Sequence, residues 1–282
     1  MHSVPSLDIS RDSIVHIYHL NCGTDCPFGG ALFDGQSAGL TGHLVCHCLL
    51  IETAAHGLVL VDTGYGLADV HHPHAGRHPR VTRAMRALLN IRFRESETAI
   101  RQVEALGFSA DDVRHIVLTH LDFDHAGGLE DFPNAKVHLL DAEYNAATGP
   151  RRGFVFRNRY RPAQRDAVRN WRRYGVQGEQ WFGFTAVRDL EGLPPEILMV
   201  PLPGHTWGHA GVAVQMATGG CSMPETRIST AERCVKPSGA ARRDFAATNI
   251  DGGGSPCAAD QSGTAASIVN RTGGRRERHL CP

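Results

Sequence analysis

Apolar residues come in short runs between turn-forming residues over the first half of the chain. Residues 14–20, residues 44–51 and Leu58–Val61 are aliphatic and rich in β-branched side chains, and Gly57 stands just before the last of these runs. Runs of this length bounded by turn residues are typical of β-strands. They predict successive strands of an antiparallel meander.

A helical pattern follows in residues 97–106, where apolar side chains recur every three residues. Ser96 can cap the start of this helix and Gly107 stands just past its end. The pattern predicts an amphipathic surface helix that packs against the sheet and takes no part in chemistry.

Two later apolar runs, residues 113–118 and residues 197–202, also predict buried strands, and each leads directly into a polar segment with histidine. The first segment, residues 119–128, reads T-H-L-D-F-D-H-A-G-G. It contains four potential metal ligands: His120, Asp122, Asp124 and His125.

Imidazole and carboxylate together suit zinc, iron or manganese. Four such side chains on so short a loop are better divided between two ions than placed on one. For any single residue, an acid that caps a following helix is the simpler interpretation. Four at this spacing favour a metal site.

The second segment, residues 203–209, reads P-G-H-T-W-G-H and places His205 at the end of its strand. The motif H-x-D-x-D-H, followed about eighty residues later by P-G-H-T-x-G-H, resembles the metallo-β-lactamase-fold hydrolases. In that family the first motif is usually H-x-H-x-D-H, so Asp122 replaces a histidine. The resemblance covers roughly residues 14–215 and is nearest to the branch of acyl-homoserine-lactone lactonases.

The resemblance implies an α/β fold, a four-layer αββα sandwich with the site at one edge between two sheets, and here with an incomplete second half. It also implies two divalent metal ions, with zinc favoured and iron or manganese as alternatives. By the same resemblance His120, Asp122 and His205 hold the first ion, and Asp124 and His125 contribute to the second. Asp124 is in addition the expected catalytic residue, which shuttles a proton.

Supporting residues are implied in the same way. Asp62, in the strand-end sequence V-D-T-G, matches an aspartate that orients a ligand histidine, although a turn-forming aspartate is the simpler interpretation. His209 matches a motif position that does not itself hold the metal. The family carries an insert between the two motifs that shapes the substrate pocket, so four aromatic residues are expected to line it: Trp171, Tyr174, Trp181 and Phe184.

The expected function is metal-dependent hydrolysis of a lactone or another ester, through hydroxide formed from water on the metal ions. Two alternatives remain open. An iron-binding redox protein can use the same scaffold with a more acidic ligand set, and Asp122 suits that chemistry. The chain can also be a non-catalytic remnant.

The composition limits the class of protein and the partners that can be expected. The chain has 282 residues, 41% of them hydrophobic, and a formal net charge of zero, which predicts one large soluble domain. Residues 151–173 hold nine arginines and one acid, but the neutral total disfavours a nucleic-acid partner. A small-molecule substrate is expected, and the oligomeric state stays open.

The expected compartment is the cytoplasm. Residues 1–10 lack the basic flank and apolar core of a signal peptide, no membrane span is expected, and the eight cysteines are then expected to be thiols.

Residues 221–282 differ from the rest of the chain. Only seven of these 62 residues are Leu, Ile, Val or Phe, a share below that of foldable segments. We expect residues 1–220 to form an incomplete metallo-β-lactamase-like domain and residues 221–282 to be a non-native or disordered tail.

A shifted reading frame explains this tail. Permitted codons for residues 221–230, read without their first two bases, encode Q-H-A-G-D-A-Y-F-H, which resembles the family's strand with the bridging aspartate. A divergent or disordered natural tail is the alternative. In either case the second metal site is expected to be compromised.

Overall fold

The computed structural model describes residues 14–74, 79–150, 153–178, 184, 188–216 and 225–229. The strands in chain order are β1 (Ile14–Asp25), β2 (Leu44–Thr53), β3 (Leu58–Val61), β4 (Ile91–Arg92), β5 (Val113–Val117), β6 (Lys136–Leu140), β7 (Trp171–Tyr174), β8 (Arg188–Asp189), β9 (Ile197–Pro201), β10 (Ala210–Met216) and β11 (Glu225–Ser229). The helices are α1 (Ala31–Asp34), α2 (Leu67–His71), α3 (Arg83–Leu89), α4 (Ala99–Ala105), α5 (Asp141–Thr148), α6 (Phe154–Arg159) and α7 (Pro162–Arg165).

The first sheet has the strand order β4-β1-β2-β3-β5-β6-β7. Strands β1, β2 and β3 pair antiparallel, which confirms the predicted meander. Strands β3, β5, β6 and β7 run parallel. Because parallel strands end at the same edge of a sheet, the residues that follow β3 and β5 are brought side by side.

The second sheet has the order β11-β10-β9-β8 and is antiparallel in each of these pairs. Its inner face packs on the first sheet through Ile197, Met199, Val212 and Val214, which are all buried. The described residues thus supply helices, a first sheet and a second sheet as successive layers.

Alternation along the strands of the first sheet explains this layering. Leu50 and Leu60 belong to the cluster that packs toward the helices, with Val103 of α4. Their neighbours Leu49 and Val61 belong to the cluster between the two sheets. Successive side chains of a strand point to opposite faces, so a strand buried on both faces must be apolar throughout.

Several local predictions need correction. The helix predicted over residues 97–106 is shorter, since α4 spans Ala99–Ala105 and its N-cap is Thr98 and not Ser96. A 3₁₀ turn at Glu95–Glu97 takes up the residues before it. Cys22, Cys46 and Cys48 are free thiols, whereas Cys26 is disulfide-bonded.

The segment predicted to be a non-native tail is described only at β11, which pairs with β10 in the register Val212↔Ser229. Glu225–Ser229 is thus a strand within the segment that was predicted to be a non-native or disordered tail. The other residues of that segment lie outside the described part of the chain, and the shifted reading frame stays a prediction. Among the described helices, none has the length and apolar content needed to span a bilayer.

Candidate metal centre

Three strand ends meet at the candidate site. Residues 119–125 follow β5, residues 203–209 connect β9 with β10, and Asp62 follows β3. The Ala210 backbone N–H donates to the Thr119 carbonyl at 2.9 Å. This bond joins the two ligand-bearing segments, although they belong to different sheets.

His120, Asp122 and His205 form a compact group of potential ligands. Each can offer one atom such that all three atoms lie within 4.8 Å of one another. The Asp122 Oδ2 atom lies 2.7 Å from His205 Nε2 and 3.4 Å from His120 Nε2. Ligands about 2.1 Å from a tetrahedral zinc are about 3.4 Å apart. The distance between His120 and Asp122 matches this spacing, whereas His205 and Asp122 are at hydrogen-bond distance.

His120 shows most directly that the group fits a cation. Its side chain is fully buried, and its Nε2 atom has no hydrogen-bond partner among the described residues. A buried polar atom without a partner costs free energy unless a ligand satisfies it. A metal ion between His120, Asp122 and His205 would supply that partner.

The hydrogen bonds behind His120 explain which nitrogen faces the site. The Thr119 hydroxyl donates to Asp62 Oδ2 at 2.7 Å and therefore accepts from His120 Nδ1, 2.9 Å away. The proton then sits on Nδ1, and Nε2 keeps the lone pair that a metal requires.

Asp62 also holds His125, whose Nδ1 donates to Asp62 Oδ2 at 3.0 Å. The His125 ring lies 4.1 Å from the ring of His120, between centroids. Asp62 adopts a left-handed backbone conformation, with φ of 57°. Such strain in a residue other than glycine is common at functional sites. Asp62 bonds to His125 directly and to His120 through the Thr119 hydroxyl.

The remaining pair of predicted ligands is adjacent. Asp124 Oδ2 lies 3.7 Å from His125 Nε2, and the Asp124 side chain is partly exposed. The structure therefore places two ligands next to the first group. By the resemblance, the further ligands for a second ion would fall in residues 221–282, of which the structure describes Glu225–Ser229.

Carboxylates dominate the electrostatics. Burial alone would raise the pKa of Asp122, but the neighbouring His120 and His205 side chains hold it well below its usual range. Burial alone would lower the pKa of His125, but the charges of Asp124 and Asp62 raise it to about 10. A site that stabilises positive charge on histidine in this way also favours a bound cation.

His209 lies beside the group. Its ring centroid is 5.2 Å from that of His120 and 6.0 Å from that of His205. Its Nδ1 donates to the Leu202 carbonyl at 3.0 Å, and the supporting role assigned to it stays a prediction.

The predicted substrate-binding residues make their described contacts elsewhere. Trp171 packs edge-on against Tyr144, and the Tyr174 hydroxyl bonds to His138 Nδ1. Phe184 packs against Val200 and Ala213 on the outer face of the second sheet. Trp181 lies outside the described residues. None of these described contacts is with His120, Asp122 or His205, and the substrate-binding role of the four aromatic residues stays a prediction.

Two residues that reach the site were missed by sequence reasoning. Arg159 places Nε 3.2 Å from Asp122 Oδ1 and donates from Nη1 to the His205 carbonyl at 2.6 Å. Glu143 accepts hydrogen bonds from both ligand-bearing segments. Nothing local distinguishes either residue, because Arg159 is one of nine arginines in its segment and Glu143 is one of two acids in the first turn of α5.

Comparisons with known proteins agree with this geometry. A family model described as the metallo-beta-lactamase superfamily matches residues 41–216. A probable metallo-hydrolase of Mycobacterium tuberculosis is 44% identical over 200 residues, which are 71% of this chain and 58% of that protein. The chain thus spans somewhat more than half the length of this relative.

Lactonases also appear among the similar proteins. An N-acyl homoserine lactonase of Bacillus cereus is 32% identical over 127 residues, 43% of this chain and 49% of that protein. The solved structure of an N-acyl homoserine lactone hydrolase with N-hexanoyl-L-homoserine at its metal centre has a TM-score of 0.53 at 21% identity, over 77% of this chain and 74% of that one. Such a likeness shows the fold, and it confirms the predicted sandwich.

Proposed function

The chain belongs to the metallo-beta-lactamase superfamily, and from this premise we propose that it is a metal-dependent hydrolase of a lactone or another ester. One observation carries the proposal. The Nε2 atom of His120 is buried without a hydrogen-bond partner among the described residues and faces Asp122 and His205. A ligand group of this kind is built for a cation and not for packing.

The choice of substrate class rests on similarity. The Bacillus cereus relative is named for the hydrolysis of N-acyl homoserine lactones, and the Mycobacterium tuberculosis relative is named a probable metallo-hydrolase. An ester carbonyl in a lactone is a substrate that a Lewis-acidic site can activate, and this supports the same class for this chain.

His120, Asp122 and His205 would hold the first ion, and Asp124 and His125 would contribute to the second. A divalent ion in such a site activates water at neutral pH and polarises a carbonyl oxygen. Proton transfer would depend on a side chain. Asp124 is partly exposed beside His125, and its carboxylate can accept a proton from the attacking water and return it to the leaving oxygen.

The test is hydrolysis of a short-chain N-acyl homoserine lactone by the purified protein, followed as release of acid, with a phenyl ester as a second substrate. We expect turnover that disappears after treatment with a chelator and returns with zinc or manganese. Metal content measured on the same samples should follow activity. Bound metal without hydrolysis of either substrate would refute the proposed activity and leave the metal site standing.

Asp122 favours one second candidate, an iron-binding redox protein, since a carboxylate in place of histidine suits iron better than zinc. A visible absorption band in the protein as purified, lost on reduction, would support it. A colourless protein that holds zinc would exclude it.

A further inference from the structure

Glu143 lies between the two segments that carry the metal ligands. It is the third residue of α5 and has no exposed surface. Its Oε1 atom accepts from the Leu121 N–H at 3.0 Å, and its Oε2 atom accepts from the Gly208 N–H at 3.2 Å. One carboxylate thus bonds to both segments, one oxygen for each.

The positions of these two donors matter. Leu121 stands between His120 and Asp122 in the chain, and Gly208 follows His205 by three residues. The two segments extend from strands of different sheets, so the distance between their ligands depends on how the sheets pack. A group bonded to both segments can set that distance directly.

The segment that contains Gly208 packs closely against Glu143 in α5. A Cβ atom added to Gly208 would lie 2.1 Å from the backbone nitrogen of Glu143, which no real contact permits. The second segment therefore rests on the first turn of α5, and glycine is required at this position. Helix α5 acts as a fixed support for both segments.

Tyr160 adds a third contact. Its side chain is buried, and burial and the adjacent Glu143 carboxylate raise the pKa of its hydroxyl. The backbone of Tyr160 also forms an antiparallel bridge with Asp122. The insert that carries Tyr160 is thereby joined to the same carboxylate and to the same ligand segment.

We propose that Glu143 is a positioning residue that sets the separation of the two ligand-bearing segments and so the geometry of the His120, Asp122 and His205 site. The inference rests on the proposed function, because it concerns the same metal site. Hydrogen bonds to a carboxylate are shorter and stronger than those between neutral groups. Partners of this kind behind a metal site typically change metal affinity about 10- to 100-fold when they are removed.

The experiment replaces Glu143→Gln in the full chain and measures Co²⁺ binding by titration, together with the visible spectrum of the bound Co²⁺. An amide has one acceptor oxygen, so at least one of the two backbone N–H groups would face an NH₂ group. We expect Co²⁺ affinity to fall about 10- to 100-fold and the absorption bands to shift. A role in stability alone would lower the melting temperature and leave the spectrum of the bound ion unchanged.

Asp34→Asn is the matched control. Asp34 is a buried carboxylate that accepts backbone N–H bonds from Gln36, Ser37 and His43 within its own loop, and it contacts no member of the ligand group among the described residues. This variant should lose stability and keep the Co²⁺ affinity and spectrum of the original chain.

The outcomes separate the two proposals. If the original chain binds no Co²⁺, the proposed function and this inference both fail. If it binds Co²⁺ and Glu143→Gln binds it equally with the same spectrum, this inference alone fails. If Glu143→Gln does not fold, Tyr160→Phe tests the inference instead. This variant removes one contact to the Glu143 carboxylate and leaves its hydrogen bonds from the Leu121 and Gly208 N–H groups. A several-fold loss of affinity in Tyr160→Phe supports the inference, and an unchanged affinity overturns it.

Discussion

Two groups of histidines, one within strands β5 and β6 and one at the candidate metal site, differ in how their nitrogens are satisfied. In the first group, His115 Nδ1 lies 2.9 Å from His138 Nε2, and His138 Nδ1 lies 2.7 Å from the Tyr174 hydroxyl. In the second group, His120 Nε2 has no hydrogen-bond partner among the described residues and points at Asp122 and His205.

The charged residues around the two groups also differ, and they change the pKa values of the histidines in opposite directions. Burial, with the positive charge of Lys136, lowers the pKa of His115 to about 4, and burial lowers that of His138 to about 3. Near the second group, Asp124 and Asp62 raise the pKa of His125 to about 10 despite its burial. Histidines that bond one another belong to the packed core, whereas histidines that converge with carboxylates on one point form a place for a cation.

The largest expected effect is the loss of the metal. Replacing His205→Ala should take bound metal from about one ion per chain to none, because the first site would keep two ligands where a catalytic zinc needs about three. Elemental analysis of the folded protein measures the number of metal ions per chain. His138→Phe, in the other histidine group, should keep its metal and lose about 1–3 kcal/mol of stability, since His115 and Tyr174 each lose a partner. Equal metal content in both variants would remove the distinction between the two groups.

The number of ions per chain is the next expected difference. We propose that the chain as given holds about one tightly bound ion, because Asp124 and His125 are two ligands where a second ion needs about three. Restoring the frame so that Q-H-A-G-D-A-Y-F-H follows Gly220 should raise the ratio to about two. Two tightly held ions in the unaltered chain, measured by elemental analysis after extensive dialysis, would show that other residues complete the second site and would count against the shifted frame.

The smallest expected effect concerns acid stability. The pKa values of His115 and His138 are lower in the folded state than the ordinary value of about 6.5, so the unfolded chain binds more protons at mildly acidic pH. Their contribution to stability is present above about pH 6.5 and is lost as the pH falls toward 4. Titratable or charged groups around the pair are Lys136, Arg172, His56 and Tyr174.

Urea unfolding of the metal-free protein at pH 7 and pH 5 measures this effect. Carboxylates elsewhere also titrate, so the comparison is with a His115→Phe, His138→Phe double variant. The double variant should lose less stability between the two pH values than the original chain. An equal loss in both would show that the pair does not titrate with depressed pKa values.

Much of the fold follows from local sequence. The predicted strand Leu58–Val61 matches β3 at both ends, because a short aliphatic run between turn residues leaves few alternatives. The run at residues 113–118 matches β5 to within one residue. The N-cap of α4 was placed wrongly because Ser96 and Thr98 can both cap a helix, and the 3₁₀ turn before the helix decides between them.

The candidate site also has residues that local sequence identifies and residues whose neighbours it does not. The ligand residues His120, Asp122 and His205 were named from two short motifs, since metal-binding side chains at strand ends are recognisable by type and spacing alone. The substrate-binding role of Trp171, Tyr174 and Phe184 stays a prediction, since their described contacts are with other residues. An aromatic residue packs equally well in a core or a pocket, and its neighbours depend on strand register.

The sequence by itself thus determined the first sheet, the candidate ligand residues and the family, because these depend on apolar periodicity and on motifs within a few residues of each other. The tertiary structure alone showed that Glu143 bonds to both ligand-bearing segments, that Arg159 reaches Asp122, and that Asp62 adopts a left-handed conformation. These contacts join residues far apart in the chain. They form only when the two sheets and α5 pack together, and no local pattern of side chains encodes that packing.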